Sequence, residues 1–190
     1  MTKICLVRHG ETDWNKQGVL QGQQETKLNT NGKQQAKMTG VYFAAMNHDF
    51  DILITSSLQR AKETAKIMNQ HLQIPLLEMD ALRERYFGHA EGLELAEQLK
   101  YPDNNFPGLE EEMAFYERVV AGFQEITTKH KNDHILIVSH GLVINLILSL
   151  ILNEEINYKK TELLNGCINH IQFFDDAWHV NSINEISHLK

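Results

Sequence analysis

The chain has 190 residues, 42% of them apolar and 23% charged, with a formal net charge of −7. That length suits one domain with a sizeable core and leaves too little for two. No basic stripe is available to neutralise phosphates, so no nucleic-acid partner is expected, and any anion site must be a local concentration of positive charge in an acidic protein. The longest apolar run, Leu142 to Leu152, is too short to span a bilayer, and no basic stretch followed by an apolar segment opens the chain. Cys5 and Cys167 have no CxxC spacing and read as reduced core residues. The cytoplasm is the expected compartment, with no membrane partner.

Lys3-Ile4-Cys5-Leu6-Val7 reads as a short buried strand that runs straight into Arg8-His9-Gly10. Apolar burial stops there, and a guanidinium and an imidazole appear side by side. Glu11 to Thr30 is polar, without a clean period, and reads as a long loop, a feature that is usually functional in compact domains. Thr30 or Asn31 is expected to cap a helix running to about Met46. Asp51-Ile52-Leu53-Ile54 is a second strand, followed by a helix in which Ser57 as N-cap places Arg60 in the first turn. Pro75-Leu76-Leu77 is a third strand. Residues 84–108 are irregular, with Gly88, Gly92, Pro102, Pro107 and Gly108. A helix over about 109–131 carries Leu109, Met113, Val119, Val120, Phe123 and Ile126 along one face. His134 to Val138 is the most apolar strand. It leads into Ser139-His140-Gly141 and an apolar helix to about Leu152, and residues 166–186 form one or two strands.

Alternating β and α elements predict a three-layer α/β/α domain, residues 1–190, with a mostly parallel central sheet. In such sheets ligands bind beyond the carboxyl ends of the strands. Strand one ends at Arg8-His9, strand two leads to Arg60, and the most apolar strand ends at Ser139-His140-Gly141. If these are parallel neighbours, two arginines, two histidines and two helix N-termini converge on one spot. That is an anion site with no requirement for a metal.

These residues also carry a resemblance. Arg8-His9-Gly10-Glu11-Thr12 with Trp14 and Asn15 resembles the signature of the histidine phosphatase superfamily, which includes the cofactor-dependent phosphoglycerate mutases. Gln21-Gly22, Leu28, Gly32 and Gln35-Ala36 are similar to the stretch after its catalytic loop. Ser56-Ser57-Leu58-Gln59-Arg60-Ala61-Lys62-Glu63-Thr64-Ala65 is similar to its second motif. Leu82-Arg83-Glu84, Phe87-Gly88 and Glu91-Gly92 resemble the motif with its acid, and Val138-Ser139-His140-Gly141 its last. The chain departs from the pattern in three places. Glu25 and Lys27 stand where Asp and Pro are frequent, Gly108-Leu109-Glu110-Glu111 replaces a Gly-Glu-Ser motif, and Leu142 replaces a second glycine. None touches the expected nucleophile, so they bear on substrate rather than chemistry.

The resemblance implies that His9 attacks phosphorus and becomes a phosphohistidine. Arg8 and Arg60 would clamp the phosphoryl oxygens, where planar guanidinium donors suit better than lysine. His140 and Asn15 would add donors, Leu142 its backbone N–H, and Gln21-Gly22 the adjoining loop. Glu84 would protonate the leaving oxygen and then activate water. It must be protonated first, so an elevated carboxyl pKa is expected. No cofactor and no metal are implied; the partner is a small phosphorylated substrate. The sequence sets no oligomeric state.

Other readings stay open. Arg83-Glu84-Arg85 also reads as a solvated charge cluster, and Glu91 competes for the role of acid. Gln21 also reads as a plain loop residue. Tyr86, Phe87, Tyr101 and Phe106, within residues 86–110, are either a lid or local core. His130 and His134 have the spacing of a metal pair, but Asn132-Asp133 breaks the helix between them.

A mutase of this family has to hold a second anionic group. Between Tyr86 and Glu117 the only basic residue other than histidine is Lys100, against Glu91, Glu94, Glu97, Asp103, Glu110, Glu111, Glu112 and Glu117. That field opposes small polyanions. A phosphatase acting on phosphomonoesters is therefore the expected activity. A phosphoglycerate mutase and a silent phospho-ligand binding module are the alternatives.

Overall fold

A computed structural model describes residues 1–46, 49–101, 105–152 and 162–190. Pro102 and Asp103, both part of the sequence reading above, lie outside the described residues. One six-stranded sheet has the order β3-β2-β4-β1-β5-β6. Its strands are β1 (Thr2–Arg8), β2 (Ile52–Ser56), β3 (Leu76–Met79), β4 (His134–Ser139), β5 (Ile168–Phe174) and β6 (Ala177–Glu185). The first four in spatial order are mutually parallel, and β5 and β6 run antiparallel at one edge.

Side chains alternate across a strand, and the core divides accordingly. Ile4, Leu6, Ile54, Ile135 and Ile137 face one side. There they meet Phe115, Val119 and Ile126 of α5 (Glu112–Lys129) and Val143, Ile144 and Ile147 of α6 (Gly141–Leu152). Cys5, Val7, Leu53, Leu136 and Val138 face the other. They meet Ala36 and Phe43 of α2 (Thr30–Ala45) and Ala61, Ala65 and Met68 of α3 (Gln59–Leu72). The expected three layers, α/β/α, are present. Cys5 and Cys167 are free and buried. Among the described residues no helix is long and apolar enough to cross a membrane.

Several local expectations are corrected. Two stretches are not all irregular: Thr12 and Asn15 form a reciprocal capping box that starts a short helix, α1 (Asp13–Gln17), and the stretch after Glu84 contains the short helix α4 (Leu95–Gln98). Asn29, rather than Thr30 or Asn31, caps α2, its side chain accepting from the Gly32 N–H. Ser57 does not cap α3. Its hydroxyl donates to Asp80, Leu58 takes the cap position with no side-chain bond, and Arg60 still falls in the first turn. On α5 the buried stripe is Phe115, Val119, Gly122 and Ile126, whereas Met113 is 63% exposed and Leu109 precedes the helix. His130 pairs with Asp133 through Nδ1 at 3.1 Å.

Candidate active site

Because β2, β4 and β1 are parallel neighbours, their carboxyl ends open on one cavity of about 340 Å³. Arg8, His9, Asn15, Gln21, Gly22, Arg60, Glu84 and Leu142 line it. The chain continues past β1 in ladder fashion: the His9 N–H donates to Ser139 O at 3.0 Å, and the Gly10 N–H to Thr64 Oγ1 on α3 at 3.0 Å. Gly10 must be glycine, since a Cβ there would sit 2.4 Å from Gly32 O.

His9 is only 2% exposed. Its Nδ1 lies 2.8 Å from Gly10 O. A carbonyl only accepts, so the ring proton is on Nδ1 and the Nε2 lone pair is left. Arg60 Nε donates to that lone pair at 3.2 Å. Burial, then Arg60 and then Arg8, hold the imidazole pKa well below its ordinary value, although the bond to Gly10 O opposes them. The ring is therefore neutral, with its lone pair on Nε2.

The two arginines differ. Arg60 is fully buried and largely committed, with Nη1 donating to Gln24 O at 3.0 Å and Nη2 to Gly22 O at 2.7 Å. It holds the 21–26 loop as well as the His9 ring. Burial lowers its pKa to about 10, and Glu84 opposes that fall, so it stays charged. Arg8 donates through Nη1 to Leu163 O, and its Nε is buried without a partner among the described residues. Arg8 has the more uncommitted donors for a bound anion.

His140 is fully buried, its ring 5.2 Å from that of His9. Nε2 lies 2.7 Å from Ser56 Oγ, and Nδ1 has no partner among the described residues. Burial, followed by Arg60, His9 and Arg8, keeps this ring neutral too.

Glu84 follows a short 3₁₀ turn, Asp80–Leu82, against which α5 packs. Gly122 permits that approach, because a Cβ there would lie 2.5 Å from Ala81 Cβ. The carboxylate accepts from the Arg85 N–H at 3.1 Å and the Leu142 N–H at 3.2 Å. The Leu142 N–H is thus directed at Glu84. Burial raises the Glu84 pKa against the opposing pull of Arg60, the two backbone donors and Arg8. Glu91 has a different place: it accepts from the Gln23 and Phe87 N–H groups at 2.7 and 3.1 Å and ties two loops together.

Asn15 Oδ1 is used by the Thr12 N–H at 3.2 Å and Asn165 Nδ2 at 3.3 Å. Gln21 is buried, its Oε1 accepting from Thr26 Oγ1 at 2.6 Å. Phe106 is buried, its ring 5.2 Å from that of Tyr101, so these two are local core; Tyr86 is exposed, and Phe87 lines the cavity.

Several contributors were not singled out from sequence. Val19, Leu20, Asn145, Glu162 and Leu163 also line the cavity. Asn165 donates to His9 O at 3.0 Å. Arg118 on α5 donates to Ala81 O at 3.0 Å and Arg83 O at 2.9 Å, and pairs with Glu110 at 2.9 Å. It grips the backbone that carries Glu84.

Residues 4–186 match the family model of the histidine phosphatase superfamily (branch 1). The chain belongs to that superfamily. It is 41% identical to the uncharacterized phosphatase PhoE of Bacillus subtilis, over 100% of this chain and 97% of that protein. It is 32% identical to the metal-independent phosphoserine phosphatase of Arabidopsis thaliana, over 100% of this chain and 84% of that one. Among solved structures, a mutant phosphoserine phosphatase of Entamoeba histolytica in complex with phosphoserine superimposes with a TM-score of 0.86 at 28% identity, over 100% of both chains. Proteins named as phosphoglycerate mutases are among the relatives too. The phosphoric monoester hydrolase expected from sequence agrees with the phosphatase names of these relatives.

Proposed function

We propose that the protein hydrolyses phosphomonoesters through a covalent phosphohistidine on His9. The observation that carries this reading is the state of that ring. It is a neutral imidazole, its proton held on Nδ1 by Gly10 O, its Nε2 lone pair in a cavity with two guanidinium groups and a carboxyl of raised pKa. Nε2 attacks phosphorus as the bond to the ester oxygen breaks. The leaving oxygen takes the Glu84 proton. Glu84, now ionised, accepts a proton from water as that water attacks phosphorus, the N–P bond breaks, and phosphate departs. Arg8 neutralises the equatorial oxygens throughout, with His140 and Asn15 beside it. Arg60 releases Nε2 when the phosphoryl group arrives. No step calls for a metal ion or cofactor.

The remainder of the cavity favours hydrolysis over mutase chemistry. Among its described lining residues the only cations are Arg8 and Arg60, while Glu162 adds a second carboxylate and Val19, Leu20, Phe87, Leu142 and Leu163 are apolar. A second anionic group finds no partner there, as the acidic stretch after Tyr86 already suggested. Small phosphomonoesters fit, and phosphoserine, named for two relatives, heads the screen, because its carboxylate comes with an ammonium group that the Glu162 carboxylate can meet. The buried, unpaired Cys5 and Cys167 support a reducing compartment, the cytoplasm.

The test is release of inorganic phosphate from p-nitrophenyl phosphate, phosphoserine and 3-phosphoglycerate, with and without bisphosphoglycerate. Hydrolysis with an acid-labile phosphate trapped on His9 is expected. Rapid interconversion of 3- and 2-phosphoglycerate would replace hydrolase by mutase.

A further inference from the structure

We propose that Ser56 is a positioning residue: its hydroxyl fixes the tautomer of His140, so that Nδ1 presents an N–H to the phosphoryl group. The inference rests on the phosphoryl-transfer reading of the cavity. Ser56 closes β2, and its side chain and that of His140 are both fully buried, with Oγ and Nε2 2.7 Å apart.

A neutral imidazole has one N–H and one lone pair, and the bond made by one nitrogen decides the role of the other. Suppose the proton is on Nε2. Ser56 Oγ then accepts it, while also accepting the Leu58 N–H at 3.3 Å. The hydroxyl proton has no second acceptor among the described residues, and His140 turns a lone pair toward an anion. Suppose instead the proton is on Nδ1. The Ser56 hydroxyl donates to Nε2, its oxygen still accepts from Leu58, and Nδ1–H is offered to the ligand. Only the second arrangement uses every group.

Buried polar groups are rarely left without partners. Here two groups lack partners among the described residues: Arg8 Nε, on a residue that lines the cavity, and His140 Nδ1. The His140 ring does not line the cavity, but it lies 5.2 Å from that of His9 and directly precedes the lining Gly141, an arrangement that a multi-acceptor anion between the two groups would complete. The two histidines then hold opposite tautomers. His9 keeps its proton on Nδ1 through Gly10 O and attacks with Nε2. His140 yields Nε2 to Ser56 and donates with Nδ1. A serine that merely closed the β2–α3 turn would affect stability through Leu58 and leave the tautomer alone.

The experiment is ¹⁵N NMR of histidine-labelled protein with inorganic phosphate bound, together with steady-state kinetics, for the wild type, Ser56→Ala and Ser56→Cys. In the wild type His140 is expected to carry its proton on Nδ1. Ser56→Ala is expected to shift the tautomer toward Nε2–H and to lower kcat about tenfold to a hundredfold, short of the ~10²–10³ from removing an oxyanion donor outright. KM should stay within about twofold, since the change acts on the transition state. Ser56→Cys, a weaker donor of similar shape, should fall between, and it serves if the alanine variant does not fold. A wild-type His140 protonated on Nε2 in the phosphate complex overturns the inference. So does a variant series flat in both tautomer and kcat. Turnover persisting in His9→Ala would instead defeat the phosphohistidine reading, whereas a dead His9→Ala beside a flat Ser56 series defeats this inference alone.

Discussion

The two walls of the cavity are built on different principles. One consists of the ends of β1, β2 and β4, where strands pair in register and His9, Arg60 and His140 are almost wholly buried. Its geometry is a consequence of the sheet. The opposite wall, from Asp80 to Glu110, has no strand among its described residues. It is held by side chains bonding to backbone, with Arg118 reaching two carbonyls and Glu110, and Arg85 reaching Glu110 O at 2.8 Å. In the proposed mechanism the first wall carries a nucleophile, His9, that has to point along one line. In that mechanism the second carries an acid, Glu84, that changes its charge twice per turnover, and it takes its position from contacts that a single substitution can remove.

Breaking the first wall costs most. His9→Ala is expected to lower kcat by on the order of 10⁴ or more, since nothing else nearby offers a comparable lone pair. Phosphate release from p-nitrophenyl phosphate measures it, with circular dichroism showing that the sheet persists. Breaking the second wall at its acid costs less. Glu84→Gln is expected to lower kcat by roughly 10²–10⁴ on phosphoserine, in the range of general acid–base contributions. The loss should be smaller for p-nitrophenyl phosphate, whose leaving group needs no proton. Wild-type activity should decline on the alkaline side as Glu84 loses its proton, at a pH above the usual carboxylate range because burial raises that pKa. The glutamine variant should lack that limb, and a retained limb would remove Glu84 from the acid role.

Arg118 tests whether the second wall depends on its clamp. Arg118→Ala removes this donor from Ala81 O and Arg83 O and leaves the Glu110 carboxylate with the Tyr86 N–H alone. The expected cost is about 2 kcal/mol of stability, read by denaturant titration, since the pair is only partly desolvated. kcat should fall about tenfold to a hundredfold through displacement of Glu84. Arg118→Lys should rescue little, because an ammonium cannot fork between two carbonyls and a carboxylate. An Arg118→Ala variant that loses stability and keeps kcat would detach the clamp from catalysis.

The same contrast explains what the sequence disclosed. The first wall was legible because its residues follow apolar runs: Arg8-His9 and Ser139-His140 come directly after Val7 and Val138, and Arg60 stands in the first turn of the helix after Ile54. Strand ends of a parallel sheet meet by topology, so local pattern sufficed. The role of the second wall was legible only by resemblance, through Leu82-Arg83-Glu84, Phe87-Gly88 and Glu91-Gly92, and its aromatic residues left lid and local core both open. Arg118 lies off the apolar face that the sequence outlines for this helix, and nothing local marks the carbonyls it reaches. Asn165 and Glu162 approach the site from the far end of the chain, after α6. The α1 helix was missed because five residues give no period, although its Thr12-to-Asn15 cap is visible in retrospect. Ser57 looked like an N-cap by type, but Asp80, distant in sequence, claims its hydroxyl.

The smallest expected effect sets the walls against each other in stability. His9 and His140 hold imidazole pKa values well below 6.5, so as pH falls through that value the unfolded chain binds two protons that the folded one refuses. Each contributes a loss of about 1.4 kcal/mol per pH unit. Glu84 acts in the opposite direction. Its folded pKa is raised above 4.5, so between that value and its folded pKa the folded state holds a proton that the unfolded state lacks, and acidification favours folding. Where the windows overlap the three groups combine to one net proton, a loss of roughly 1.4 kcal/mol per pH unit. Glu84→Gln removes the offset and should steepen the measured slope by about one proton, while His140→Ala should lessen it by about one; His188, whose pKa burial also lowers, adds to the slope alike in all three proteins. Urea denaturation from pH 6.5 down to 4.5 in the three proteins reads these slopes directly. Equal slopes in wild type and Glu84→Gln would mean that Glu84 is ionised in the folded state across this range, and the second wall would then have no acid to offer the leaving group.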